Sequence, residues 1–165
     1  MKRIVSLLLA VTLVLVLAAC GGGGKDDAPA QEAPDLNQYY EDFMASLGDD
    51  APMMMDLSED TNLLDQFYPG LTGYGTKQIV VQGAAISAVA FEVALVEVEN
   101  AGDVQAVADI FQARIDSQLE GGVLYPMTVE AWQKAEIITH GNVVALICAG
   151  DQQSQAAEAF NALFA

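Results

Sequence analysis

The stretch KQIVVQGAAISAVAFEVALVEVEN, residues 77–100, decides which fold this sequence can adopt. It has the apolar length of a buried helix or a membrane span, but the acidic residue Glu92 interrupts its apolar run. Its β-branched residues and its alternation with a period of two are typical of strands. The stretch therefore predicts a short strand at 78–82 that is separated from a longer one by Gly83, Ala84 and Ala85. The apolar face of the longer strand changes near Leu95–Val96, where we expect a β-bulge or a bend of the strand.

Amphipathic segments and a hairpin surround these two strands. Outward from them, the periodicity and the turn residues predict helices over about 36–47 and 101–120, a helical turn near 60–66, a hairpin across Gly141-Asn142 and a closing helix after Asp151. This order implies an α+β fold, with a mostly antiparallel sheet packed against amphipathic helices. Contiguous apolar residues in the strands indicate that part of the second sheet face is covered as well.

The N-terminal residues follow the pattern of an export signal. Lys2-Arg3 supplies positive charge, Ile4–Leu17 is a continuous apolar run, and a small-residue site ends at Cys20. The site Leu17-Ala18-Ala19-Cys20 resembles the lipobox of bacterial lipoproteins. The resemblance implies a signal peptide over residues 1–19 that is removed, and a diacylglycerol on the Cys20 thiol. Two or more acyl chains, such as palmitate, would hold the protein on the extracytoplasmic face of the cell membrane.

A tether separates this anchor from the domain. Residues 21–35, GGGGKDDAPAQEAPD, contain no large apolar side chain and are typical of a flexible linker. The glycine run neither follows a strand nor opens a helix, which excludes a phosphate-binding loop. We therefore divide the chain into a signal peptide (1–19), a lipidated cysteine with its tether (20–35) and one α+β domain (36–165).

The charge of the chain limits its partners. Two of its six cationic residues lie before Cys20 and all 23 acidic residues lie after it, which leaves the mature chain with a formal charge of −19. Such a surface repels nucleic acids and anionic polymers. Besides the membrane, which the lipid anchor would reach, this charge allows a cationic peptide, a basic patch of an envelope protein or a metal ion as a partner.

Few residues are suited to catalysis or metal binding. His140 lies at the predicted hairpin turn and Cys148 lies within an apolar strand, where a thiol behaves as a small inert hydrophobe. We therefore expect no disulfide between Cys20 and Cys148. The acidic residues of 49–60 lack the spacing and the central glycine of a calcium loop. The sequence predicts no catalytic residue, no metal site and no cofactor.

Glu92 is the candidate functional carboxylate. It lies among alanines within the predicted long strand. Its side chain either points to solvent across a face of small residues or is half-buried beside a partner.

Several segments resemble an uncharacterised family of bacterial lipoproteins built on a domain of unknown function. The resemblance covers roughly residues 50–165. It is based on a strand with a central acidic residue (Glu92), a helix ending in Arg114-Ile115, a Tyr125-Pro126 pair and the hairpin at 141–144. No activity is assigned to that family, so the resemblance implies an α+β domain and no catalytic residues.

We expect a membrane-anchored extracytoplasmic lipoprotein that acts as a non-enzymatic binding or interaction module. An alternative is an accessory or ligand-sensing subunit of an envelope or transport complex. A third function, an envelope hydrolase, would need a second carboxylate close to Glu92 in a deep pocket.

Overall fold

The computed structural model describes residues 33–122 and 125–165. The predicted leader, Cys20 and nearly all of the predicted tether lie outside these residues. The elements are α1 (Leu36–Leu47), β1 (Met54–Asp56), α2 (Thr61–Phe67), β2 (Thr76–Ala84), β3 (Glu92–Val98), α3 (Val104–Ser117), α4 (Pro126–Gln133), β4 (Glu136–His140), β5 (Val143–Cys148) and α5 (Gln153–Ala162).

The strands form one antiparallel sheet. Its order in the described residues is β1-β2-β3-β5-β4, and every neighbouring pair is antiparallel. β3 is central, and all seven of its residues are buried. The predicted α+β fold with an antiparallel sheet is confirmed.

Helices cover both faces of this sheet. Ala94, Val96 and Val98 of β3 pack with α2, α3 and α4 on one face, which we call the α3 face. Val93 and Leu95 pack with α1 and α5 on the other, the α1 face. Each large apolar side chain that is removed from water in this way stabilises the fold by about 1.5–3 kcal/mol.

The expected bulge in the central strand is wrong. β3 pairs with β5 without interruption across Leu95–Val96, and the irregularity in its pairing with β2 lies between Thr76 and Gln78. Because helices cover both faces, apolar side chains suit both sides of β3, and no change of face is needed. Gly83 and Ala84, predicted as the break between the strands, belong to β2, and residues 86–91, predicted as the start of the long strand, lie in a loop instead.

The hairpin of β4 and β5 turns at Gly141-Asn142, as predicted. Gly141 adopts a φ of 56°, a left-handed conformation that suits glycine. His140 is the last residue of β4 and is not part of the turn. Its Nε2 lies 2.7 Å from Oδ1 of Asn161, and its ring stacks on Phe164 with a centroid separation of 4.3 Å. These contacts join the hairpin to the C-terminal helix.

Gln78 fixes the N-terminal end of the described chain on the α1 face. Its Oε1 accepts from the backbone N–H of Leu36 at 3.0 Å, and its Nε2 donates to the carbonyl of Pro34 at 3.0 Å. The same Nε2 donates to Oε2 of Glu97 at 2.8 Å. The entry of α1 is therefore held against one end of β2 and β3.

Candidate functional site

Glu92 lies at the start of β3 and points into the domain on the α3 face. It is buried, and its neighbours across the sheet are Gly83 of β2 and Cys148 of β5. A Cβ atom on Gly83 would come within 3.2 Å of Leu57 and 3.7 Å of Oε2 of Glu92. The absence of a side chain at Gly83 therefore leaves room for the carboxylate.

Arg114 of α3 meets this carboxylate with two parallel hydrogen bonds. Its Nε donates to Oε1 of Glu92 at 2.8 Å and its Nη2 donates to Oε2 at 2.6 Å. The Arg114 and Glu92 side chains are only 10% and 5% exposed. The hydroxyl of Tyr68 also donates to Oε1 of Glu92. This bidentate geometry makes Glu92–Arg114 a strong, directional pair in a region of little water.

Aromatic rings surround the guanidinium of Arg114. Its central carbon lies 4.8 Å from the ring centroid of Phe67, 5.4 Å from that of Trp132 and 5.9 Å from that of Tyr68. Rings at these distances attract the cation through their quadrupoles and exclude water from it. Helices α2, α3 and α4 each contribute to the position of this one side chain.

The ionisable groups near Glu92 hold fixed protonation states. Burial, and then the charge of Glu92, raise the pKa of the Tyr68 hydroxyl well above its usual value. Burial acts to lower the pKa of Arg114, but the hydrogen bonds and charge of Glu92 outweigh it and the pKa is raised. Burial and the charge of Glu92 raise the pKa of the Cys148 thiol to about 12. At neutral pH the tyrosine and the thiol are neutral and the arginine is charged.

The sequence left two positions open for Glu92, one facing solvent and one beside a partner. In the structure the carboxylate faces a partner inside the domain. Its two oxygens accept three hydrogen bonds, two from Arg114 and one from Tyr68. A carboxylate engaged in this way is held in place as an acceptor and is poorly suited to remove a proton from a substrate.

Arg114 is the partner that sequence reasoning missed. Its position carried one signal: it follows the buried Phe111 by three residues and precedes the buried Ile115, at the edge of the apolar face of α3. A lone cation there, in a chain with six cationic residues, indicates an internal partner.

A cleft of about 320 Å³ opens above the ion pair. Glu92 and Arg114 line it. One wall comes from β1 and the 84–91 segment, and the other comes from the end of α3 and from α4, including Trp132. Of the described residues that line the cleft, Glu92 is the only carboxylate.

Exposed hydrophobic side chains gather around this cleft. Eight large ones are exposed in the described residues, and Leu163, after α5, is the only one of them that neither lines the cleft nor adjoins or bonds to a lining residue. Met55 and Val89 line the cleft, and the other five are next to lining residues in the chain or accept hydrogen bonds from them through their carbonyls. We call these seven the rim: Met53, Met55, Ile86, Val89, Leu119, Tyr125 and Met127. Clusters of this kind on a soluble surface mark interaction sites.

Two further properties concern membranes and metals. Across residues 33–122 and 125–165, no helix combines the length and the apolar character needed to cross a membrane. In the same part of the chain, no three His, Cys, Asp or Glu side chains gather closely enough to hold a metal ion.

The sequence matches one family of known proteins. The family model described as "Domain of unknown function (DUF4358)" matches residues 46–149. The chain belongs to the DUF4358 family. Glu92, Arg114, Tyr68 and Trp132 all lie in the matched range, so the ion pair and its cleft are part of the DUF4358 domain. No curated protein and no solved structure matches the chain.

Proposed function

We propose that this protein is a lipoprotein held on the extracytoplasmic face of the cell membrane by acyl chains on Cys20, and that its DUF4358 domain is a non-enzymatic binding module. The cleft above the Glu92–Arg114 pair is the binding site. The observation that carries the proposal is the concentration of exposed hydrophobic side chains around a cleft with a polar, rigid floor.

The anchor is supported by the sequence alone. Lys2-Arg3, the apolar run after it and the site Leu17–Cys20 agree with a lipoprotein signal at each position. Residues 21–35 then provide about 15 residues of polar, glycine-rich linker between the anchor and the domain.

Binding is favoured over hydrolysis by the chemistry of the cleft. A hydrolase that uses paired carboxylates needs one to give and one to take a proton. The described lining supplies Glu92 only, and Arg114 and Tyr68 already occupy its oxygens. The floor of the cleft is better suited to hold a ligand in one orientation than to transform it.

Site-specific photo-crosslinking in intact cells tests the binding function. A photoreactive amino acid replaces Val89 on the rim, and in a separate variant it replaces Leu163, which is similarly exposed at 37% against 42%. We expect a discrete crosslinked product from position 89 and none from position 163, and mass spectrometry then identifies the partner.

Equal labelling from both positions, or none from position 89, would overturn the binding function for this cleft. A partner that is a subunit of a transporter would assign the domain to the alternative function, an accessory subunit of an envelope complex.

A further inference from the structure

Arg114 and Trp132 line the cleft, and each carries an N–H group without a hydrogen-bond partner among the described residues. Nη1 of Arg114 and Nε1 of Trp132 make no hydrogen bond with any described residue, although both side chains are almost fully buried. No side-chain nitrogen or oxygen in the described residues is both sealed from solvent and without a partner. Both N–H groups belong to side chains that line the cleft, and we take them as the donors of the site.

A ligand for this site must supply hydrogen-bond acceptors, and the charge balance decides which kind. Glu92 already neutralises Arg114, so a bound anion would place an uncompensated negative charge in a region of little water. The mature chain also carries a formal charge of −19, which repels anions at long range. A neutral carbonyl oxygen meets the same donors without either cost.

The rim adds a second requirement for the ligand. The ligand must also carry apolar groups, because the exposed rim side chains are stabilised by burial against apolar surface. Met53, Met55 and Met127 are flexible thioethers that adapt to partners of different shape. A polypeptide in an extended conformation combines backbone carbonyls with apolar side chains at short intervals. Basic residues in that polypeptide would be attracted by the acidic domain.

We propose that the cleft binds an extended, net-positive segment of another polypeptide. Its backbone carbonyls accept hydrogen bonds from Arg114 and Trp132, and its apolar side chains contact the rim. The inference rests on the proposed function and names the chemical class of the partner.

Peptide titration of the full-length chain in detergent tests this inference. The probe is a short, capped peptide in which Lys alternates with Leu and Ser, and a second peptide has Glu in place of every Lys. Trp132 is the only tryptophan of the chain, so its fluorescence reports on occupancy of the cleft, and anisotropy of the labelled peptide gives Kd. We expect saturable binding of the basic peptide. Its affinity should fall when NaCl rises from about 50 to about 500 mM.

Three variants locate the bound peptide. Val89→Ser on the rim should weaken binding about tenfold. Leu163→Ser removes a similarly exposed apolar side chain outside the rim and should leave Kd unchanged. A second groove, between α2 and α3, also includes Arg114, and Ala113 lines that groove but not the cleft. Ala113→Gln should therefore leave Kd unchanged as well.

Several outcomes would overturn the inference. Equal binding of the acidic peptide, or competition by acetate, would show that the site takes anions. Loss of binding in Ala113→Gln but not in Val89→Ser would place the peptide in the second groove. If neither peptide binds while position 89 still crosslinks to a partner, the inference fails and the proposed function stands. If crosslinking fails as well, the proposed function fails with it.

Discussion

Glu92 and Arg114 stabilise the domain only as a pair, because removing either side chain leaves the charge of the other buried without a partner. Both side chains are nine-tenths buried or more, and their two hydrogen bonds are short. In such surroundings the attraction roughly offsets the loss of hydration, whereas breaking the pair exposes the full cost of one buried charge. The pair therefore fixes the geometry of the cleft floor more than it adds to stability.

We predict that Arg114→Met lowers the free energy of unfolding by about 3–5 kcal/mol, because it leaves the Glu92 carboxylate buried without a cation. The double variant Glu92→Gln, Arg114→Met should recover much of this loss, since both charges are then gone. Urea denaturation followed by circular dichroism measures both values.

Lys77 provides the matched control for this experiment. It pairs with Glu97 at 3.2 Å, but its side chain is 53% exposed and Gln78 also donates to Glu97. Lys77→Met should cost less than about 1 kcal/mol. A loss from Arg114→Met as small as that of Lys77→Met would contradict the buried pair.

Cys148 illustrates how the same carboxylate affects a neighbour. The thiol is buried, and burial together with the charge of Glu92 raises its pKa to about 12. We predict that iodoacetamide at pH 8 leaves Cys148 unmodified in the folded protein, since only about one thiol in ten thousand is then ionised. In urea the thiol becomes accessible, its pKa returns to the usual range, and alkylation should be complete.

Mass spectrometry of the peptide that contains Cys148 separates this reaction from any at Cys20. Alkylation of the folded protein at the rate seen in urea would show that the thiol is exposed.

At the scale of elements, the sequence predicted those helices and turns that depend on residues close together in the chain. α1 follows from apolar residues at helical spacing, with Asp35 accepting from the backbone N–H of Gln38 as its cap. The hairpin turn follows from Gly141-Asn142. Both could be predicted because the residues that form them are adjacent in the chain.

Elements that depend on distant partners could not be predicted in the same way. β1 has only three residues, Met54–Asp56, and exists because it pairs with residues 82–84 of β2. Ile86 and Val89 have the composition of strand residues but lie in an exposed loop. The proposed binding function would account for this conflict, since a surface that binds partners needs exposed apolar side chains.

The candidate site shows the same limit. Glu92 could be singled out because a carboxylate is unusual in an apolar strand, whereas its pairing with Arg114 spans 22 residues and depends on how α3 crosses the sheet. Tyr68 comes from a third segment again. The individual residues of the site could be recognised in the sequence to different degrees. Nothing in the sequence indicated that they meet in the folded domain.

On the scale of the whole molecule, the cleft and the N-terminal entry of the domain lie apart. Gln78 and Glu97 hold the entry at one end of β3 on the α1 face. Glu92 lies at the other end of β3 on the α3 face, and five residues of strand separate the two positions by about 17 Å. The cleft is therefore separate from the point where Leu36 begins α1.

The proposed lipid anchor has a consequence for where the whole protein is found. We predict that Cys20→Ala moves the protein from the membrane fraction to the soluble or secreted fraction, or leaves it with an uncleaved leader, because no thiol remains to carry diacylglycerol. Labelling with a radioactive fatty acid followed by fractionation and immunoblotting measures both effects.

Cys148→Ser is the matched control and should change neither labelling nor location, since that thiol is buried in β5. Fatty-acid labelling that persists in Cys20→Ala would contradict the lipid anchor. Loss of labelling with unchanged peptide affinity would separate the function of the anchor from that of the cleft.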